Sequence, residues 1–271
     1  MYESMDKILG EYIASLKPYL NQLVIAGGWV PYIYSKTYSS ENVREPLITY
    51  DFDAVIPRHG FLENDKSLDR VILDAGFEYV FASLDNPPVV KYIKKLAENK
   101  EIEIEFIVNE SGNNEGVKRI GSINAQALRY IGLLTDSHWE LSLLELGFAD
   151  DGYLRIPSPA RFIFHKALTA PRRRQSNKTA KDLYYIFYVL EAFSAWREDT
   201  LMQINQLSKS HNQWKRKAHD YLAVTFEDID SWGLDLLLSQ KPQTAFSEMT
   251  EDQFKQYALH IISELINALK H

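Results

Sequence analysis

Asp51 and Asp53 stand two residues apart in the segment PLITYDFDAVIP, and residues i and i+2 of a strand project from one face. Two carboxylates sharing a face repel each other, which gives them a reason to coexist if a divalent cation stands between them. Thr49 adds a hydroxyl to the same face. About 25 residues upstream, LVIAGGWVPYIY joins a short apolar strand to a helix through Gly27 and Gly28. Adjacent glycines at such a junction let backbone N–H groups approach an anion at the helix N-terminus, where the dipole favours negative charge. A phosphate cradle beside a carboxylate pair suggests Mg2+-nucleotide chemistry.

An isolated D-x-D is common by chance, so its surroundings matter. EIEIEFIV supplies a third acidic source, with Glu101, Glu103 and Glu105 alternating with Ile102, Ile104 and Phe106. Such a strand has one acidic face, which either is a solvent-facing edge or contributes a third metal-binding carboxylate that also activates an attacking group. Glu105, flanked by Ile104 and Phe106, is slightly preferred over Glu103. Two Mg2+ ions about 4 Å apart can clamp both the nucleophile and the leaving pyrophosphate in phosphoryl transfer.

A second constellation lies in PSPARFIFHKALTAPRRRQSNKTAKDLYYIF. Lys166 ends an apolar helix, and Arg172, Arg173, Arg174, Lys178 and Lys181 place five basic residues in ten positions before Asp182. One reading is an exposed interhelical loop with Lys178 and Asp182 paired at i, i+4. The other is an anion-holding surface for a triphosphate or a nucleic-acid backbone.

The elements that must position these residues follow from periodicity. Residues 3–20 predict a helix ending near Pro18, Leu23–Ala26 a buried strand, Trp29–Lys36 a helix and Ile48–Ile56 a second strand. A helix at Ser67–Ala75 stops at Gly76, and strands follow at Phe77–Phe81, Val89–Ile93 and Ile102–Val108. SGNNEG at 111–116 predicts a turn, Ile123–Leu134 and Trp139–Leu146 read as helical or strongly apolar, and Tyr153–Ile156 is a short strand. Beyond Pro157 the period is helical almost throughout, which predicts an α/β domain over 1–157 and a helical domain over 158–271.

Composition narrows the function classes. The 271 residues carry a net charge of −7 and no cysteine, which excludes disulfides, thiolate metal sites and a cysteine nucleophile. The acidic balance argues against non-specific nucleic-acid binding over the whole surface. No run approaches the roughly 18 apolar residues of a membrane span, and the amphipathic N-terminus lacks the layout of a signal peptide. A cytoplasmic protein is expected. GxSxG, GxxxxGK[ST] and GxGxxG are all missing, so serine hydrolases, P-loop NTPases and Rossmann dehydrogenases lose support.

Gly27-Gly28 at a helix start, T-x-D-x-D at Thr49, Asp51 and Asp53, and the acidic strand together resemble the nucleotidyltransferase fold of the DNA polymerase beta superfamily. INAQALRYIGLL, IPSPARFIFHKAL and the RRR…K..KDL run at 172–183 resemble a bacterial nucleotidyltransferase-like family related to abortive-infection toxins. The resemblance spans roughly residues 20–195. It implies an α/β (α+β) fold with metal carboxylates on a mixed sheet, flanking helices, and an all-helical C-terminal domain closing a cleft. It implies phosphate contacts by Gly27 and Gly28 and Mg2+ binding by Asp51, Asp53 and Glu105, with Mn2+ as a substitute. Lys166, Arg172, Lys178, Lys181 and Asp182 would line the cleft. The expected activity is transfer of an NMP from an NTP to a hydroxyl of a protein, an RNA or a small molecule. The alternatives are a non-catalytic nucleotide- or RNA-binding module on the same fold and a toxin-like enzyme acting on tRNA.

Overall fold

A computed structural model describes residues 2–38, 44, 46–47, 49–83, 87–96, 100–110 and 116–270. The turn expected at 111–116 lies outside the described residues except for Gly116, as do Ile48 of the second expected strand and most of the preceding polar connector. Contacts divide the chain into two units, residues 1–37 with 48–158 and residues 38–47 with 159–271.

The first unit carries α1 (Tyr2–Leu16), β1 (Val24–Ala26), α2 (Trp29–Thr37), β2 (Asp51–Ile56), α3 (Leu68–Asp74), β3 (Glu78–Phe81), β4 (Val90–Lys95) and β5 (Glu101–Asn109). After these come β6 (Gly116–Ile120), β7 (Ile123–Leu128), α4 (Gly132–Thr135), β8 (His138–Ser142) and β9 (Tyr153–Pro157). Seven strands form one mixed sheet in the order β1-β2-β5-β4-β3, with β7 pairing the far end of β5 and β6 pairing β7. β2 and β5 run parallel, whereas β1–β2 and β4–β5 are antiparallel. β8 and β9 make a separate hairpin.

Burial explains why these segments take these shapes. Met5, Ile8, Leu9, Tyr12, Ile13 and Leu16 recur at helical spacing on α1 and all are buried. On β5, Ile102, Ile104 and Phe106 are buried while Glu103 and Glu105 are half-buried, so the period is two and the sheet face is fixed. Gly76 ends the α3 region with φ +88°, a left-handed value that a side chain would strain.

Two segments read as helical or strongly apolar begin as strands. In Ile123–Leu134 the first half is β7, where Ile123, Ala125 and Ala127 are buried and the residues between them half-buried. That alternation, and pairing to β5 and β6, outweighs the helix propensity of the alanines and leucines. Only the short α4 follows. In Trp139–Leu146 the first residues belong to β8, and a turn closed by Gly147 at φ +87° follows.

The second unit is helical: α5 (Pro159–Thr169), α6 (Ser176–Ala192), α7 (Ser194–Lys209), α8 (Asn212–Thr225), α9 (Trp232–Gln240) and α10 (Glu251–Ala268). Tyr38 and Arg44 join it through specific contacts. The Arg44 guanidinium stacks 3.9 Å over Phe246 and pairs with Glu191 at 2.5 Å, and Tyr188 donates to the Arg44 carbonyl at 2.6 Å. Tyr38 packs edge-on against Phe193 and Trp196. Among the described residues no helix is long and apolar enough to cross a membrane.

Candidate active site

Strand register gathers the acidic residues. Asp51 pairs with Glu103 and Asp53 with Glu105 across the parallel β2–β5 ladder. Paired residues share a sheet face, and the intervening Phe52, Ala54, Ile104 and Phe106 are buried on the other one. On the far side of β2, Ala26 pairs with Asp53, so the chain leaves β1 into the Gly27-Gly28 turn beside that carboxylate. Gly27 has φ +67°, and a Cβ built there would stand 2.1 Å from Asp53 Oδ2. Both the backbone conformation and the space therefore require glycine. Gly28 is half-buried in the turn that opens α2.

Trp29, the bulky residue after the glycines, is fully buried. It packs edge-on against Tyr12 and Tyr32 and lies tilted beside Phe52, so its bulk belongs to the core. Thr49 is half-buried, and its hydroxyl accepts the Asp51 N–H at 3.3 Å.

Tyr12 of α1 holds the two acidic strands from beneath. Its ring stacks on Phe52 with centroids 4.4 Å apart. Its hydroxyl donates to the Tyr50 carbonyl and accepts the Glu103 N–H, the latter at 3.2 Å. Burial pushes the phenol well above its usual range, and the charges of Asp51, Glu103 and Asp53 push the same way. Helical spacing identified Tyr12 only as a core residue, and nothing in that spacing signals the hydroxyl's two bonds.

Lys91 of β4 is the other participant that pattern reading missed. It pairs in register with Glu105, so Lys91, Glu105, Asp53 and Ala26 form one row across four strands. Its ammonium lies 2.5 Å from Glu103 Oε1 and makes a close ion pair with Glu105 Oε1. Burial works against the Lys91 charge, yet the two carboxylates outweigh it and hold its pKa above the ordinary lysine value. Glu103 is pushed up to about 7, first by burial and then by its hydrogen bond with Glu105, with Lys91 pulling the other way. The two neighbouring carboxylates disfavour each other's charge, and the Lys91 ammonium offsets part of that.

Glu103 and Glu105 are both turned onto Lys91. Among the described residues, no three His, Asp or Glu side chains stand as a ready metal-binding group.

The basic constellation belongs to the second unit. Lys166 Nζ lies 2.6 Å from Asp182 Oδ1, and Arg173 Nε lies 2.7 Å from Oδ2. Lys166 and Asp182 are both buried, and the ammonium also stands 5.6 and 5.3 Å from the Phe162 and Tyr185 ring centroids. Burial would raise the Asp182 pKa, but the two cations more than offset it and hold the carboxyl below its usual range. Asp182 therefore pairs with Lys166 and Arg173, and the i, i+4 pair with Lys178 does not form. Arg172, Lys178 and Lys181 are exposed at the turn before α6 and on its first two turns.

His165, next to Lys166, is buried, and among the described residues neither ring nitrogen has a hydrogen-bond partner. Burial first, and the neighbouring Lys166 charge second, lower its pKa to about 3, so the ring is neutral at physiological pH.

Comparison with known proteins gives a family and a distant structural likeness. The family model described as "Nucleotidyltransferase" matches residues 10–208, a span holding every residue named above for the site. A solved structure, that of an antigenic nucleotidyltransferase-like protein from Paracoccidioides brasiliensis, is 14% identical with a TM-score of 0.38. The likeness covers 75% of this chain and 91% of that one. No curated protein matches the chain.

Proposed function

We propose, from the premise that this chain belongs to the nucleotidyltransferase family, that it moves an NMP from an NTP onto a hydroxyl acceptor. In that reaction the acceptor oxygen bonds to the α-phosphorus, the bond from the α-phosphorus to the bridging oxygen breaks, and pyrophosphate leaves with the electron pair. The acceptor hydroxyl loses its proton, and Glu105, opposite Asp53, is the carboxylate assigned to take it. The T-x-D-x-D run beside a Gly-Gly turn supports extending this reading to the DNA polymerase beta superfamily.

One observation carries the proposal. Gly27, lacking a side chain, lets the Asp53 carboxylate stand directly against the glycine turn, and Asp51 shares that carboxylate's strand face. Hard oxygen donors in such a pair suit Mg2+, with Mn2+ a substitute. The donors present fit the ion that the family's chemistry implies. Bound there, the cation would neutralise charge on the phosphate oxygens.

The remaining work falls to the chain's own groups. Gly27 and Gly28 let the phosphates approach backbone N–H groups at the start of α2. Tyr12 fixes the strand ends at Tyr50 and Glu103, which holds the carboxylates at one spacing. Calorimetry with each NTP, with and without Mg2+, tests the reading. Asp51→Ala and Asp53→Ala should each abolish Mg2+-dependent binding with the fold intact, and full binding in both variants would overturn it.

A second reading rests on the exposed Arg172, Lys178 and Lys181. A basic surface of this kind suits a non-catalytic module that holds nucleotide or RNA by charge. NTP binding that is indifferent to Mg2+ and falls steeply with salt would favour it.

A further inference from the structure

Nothing in the family match or in the strand pattern assigns a part to Lys91, yet its ammonium is the positive charge nearest the glutamates. Glu103 and Glu105 side chains are 19% and 21% exposed, so each needs a partner for its charge. Lys91 answers both from the neighbouring strand. We infer that Lys91 is a positioning residue that gathers Glu103 and Glu105 and supplies the charge a second cation would bring, so that this face takes one divalent ion, at Asp51 and Asp53.

This inference rests on the proposed metal-dependent reading and narrows it. The register sets Lys91 apart from the aspartates. Lys91 lies on β4 and the aspartates on β2, with β5 between them, so their backbones stand about two strand spacings, roughly 10 Å, apart. An ammonium within 2.5 Å of Glu103 Oε1 occupies the position a metal ion would take at that oxygen, since Mg2+ sits about 2.1 Å from its ligands. Two cations cannot both stand there without strong mutual repulsion. In the strand ladder Asp51 faces Glu103, and Asp53 faces Glu105 and Ala26.

Titration of the full-length protein with Mn2+ alone, counting bound ions by the loss of the free-ion electron paramagnetic resonance signal, tests the stoichiometry. The wild type should bind one Mn2+ per chain. Lys91→Met should bind two, and Lys91→Arg, which keeps the positive charge, should return to one. Two ions in the wild type, or one in Lys91→Met, would overturn the role of Lys91 while leaving the metal reading standing. No Mn2+ bound by the wild type, or one ion retained in the double variant Asp51→Asn/Asp53→Asn, would overturn the metal reading itself. Circular dichroism of each variant confirms that the fold is present, and the wild-type count decides the stoichiometry whatever the variants do.

Discussion

Gly27 and Asp53 share one volume of space: a methyl group on the first would lie 2.1 Å from a carboxylate oxygen of the second. The collision comes on top of a left-handed backbone at φ +67°, which costs a side-chain-bearing residue roughly 1–2 kcal/mol. Gly27→Ala should therefore lose about 1–3 kcal/mol of stability and also push Asp53 out of place. The expected result is a lowered urea midpoint together with Mg2+-dependent NTP binding weakened at least as much as in Asp53→Asn. A variant that binds NTP normally would separate the glycine from the site.

Tyr12 links α1 to the acidic face, and its two contributions can be separated. Tyr12→Phe keeps the stack on Phe52 and removes the hydroxyl that bridges Tyr50 and Glu103. The Glu103 N–H still donates to the Tyr50 carbonyl at 3.0 Å, so the stability loss should be near 1 kcal/mol. Tyr12→Ala also empties a core position and should cost about 3–5 kcal/mol. Chemical denaturation of both variants checks the ratio.

How much of this was legible beforehand follows from the reach of each signal. Alternation along EIEIEFIV and TYDFDAV gave the faces of β5 and β2, because a strand's own residues set its two sides. The glycine pair marked the β1–α2 junction for the same local reason. The partner of each strand is a different matter. Lys91 sits in VVKYIKK, where Val90 and Tyr92 fix its face, but only the β4–β5 register brings it onto the glutamates. The β6–β7 hairpin was missed because alanine, glutamine and leucine carry helix propensity, and pairing with β5 overrode it. Likewise, the KD spacing of the basic helix was visible, whereas burial of Lys166 against Asp182 depended on packing of α5 on α6.

The buried imidazole of His165 makes stability pH-dependent. Its folded pKa near 3 lies below the unfolded value of about 6.5. The unfolded chain therefore binds the extra proton between those values. Stability from this group is fully present above about pH 6.5 and falls as the pH drops towards 3, approaching roughly 1.4 kcal/mol per unit. His165→Leu removes the proton site and two unpartnered ring nitrogens. Guanidinium melts at pH 7 and pH 5 should show a smaller difference for the variant than for the wild type, and an equal difference would assign the acid loss to other groups.

Asp182 adds a second acid-sensitive term with its own window. Its folded pKa is depressed, so its contribution is present above the unfolded value of about 3.9 and is lost as the pH falls through the folded value. At neutral pH the pair itself can be tested by removing one partner at a time. Asp182→Leu leaves the Lys166 ammonium buried with no carboxylate and should cost about 3–5 kcal/mol. Lys166→Met leaves Asp182 with Arg173, whose side chain is 34% exposed, so its loss should be smaller. The double variant Lys166→Met/Asp182→Leu removes both buried charges and should recover much of the Asp182→Leu loss. Such recovery in a denaturation cycle identifies a charge-compensated core. Losses that simply add would mean that the two residues stabilise the helical unit independently.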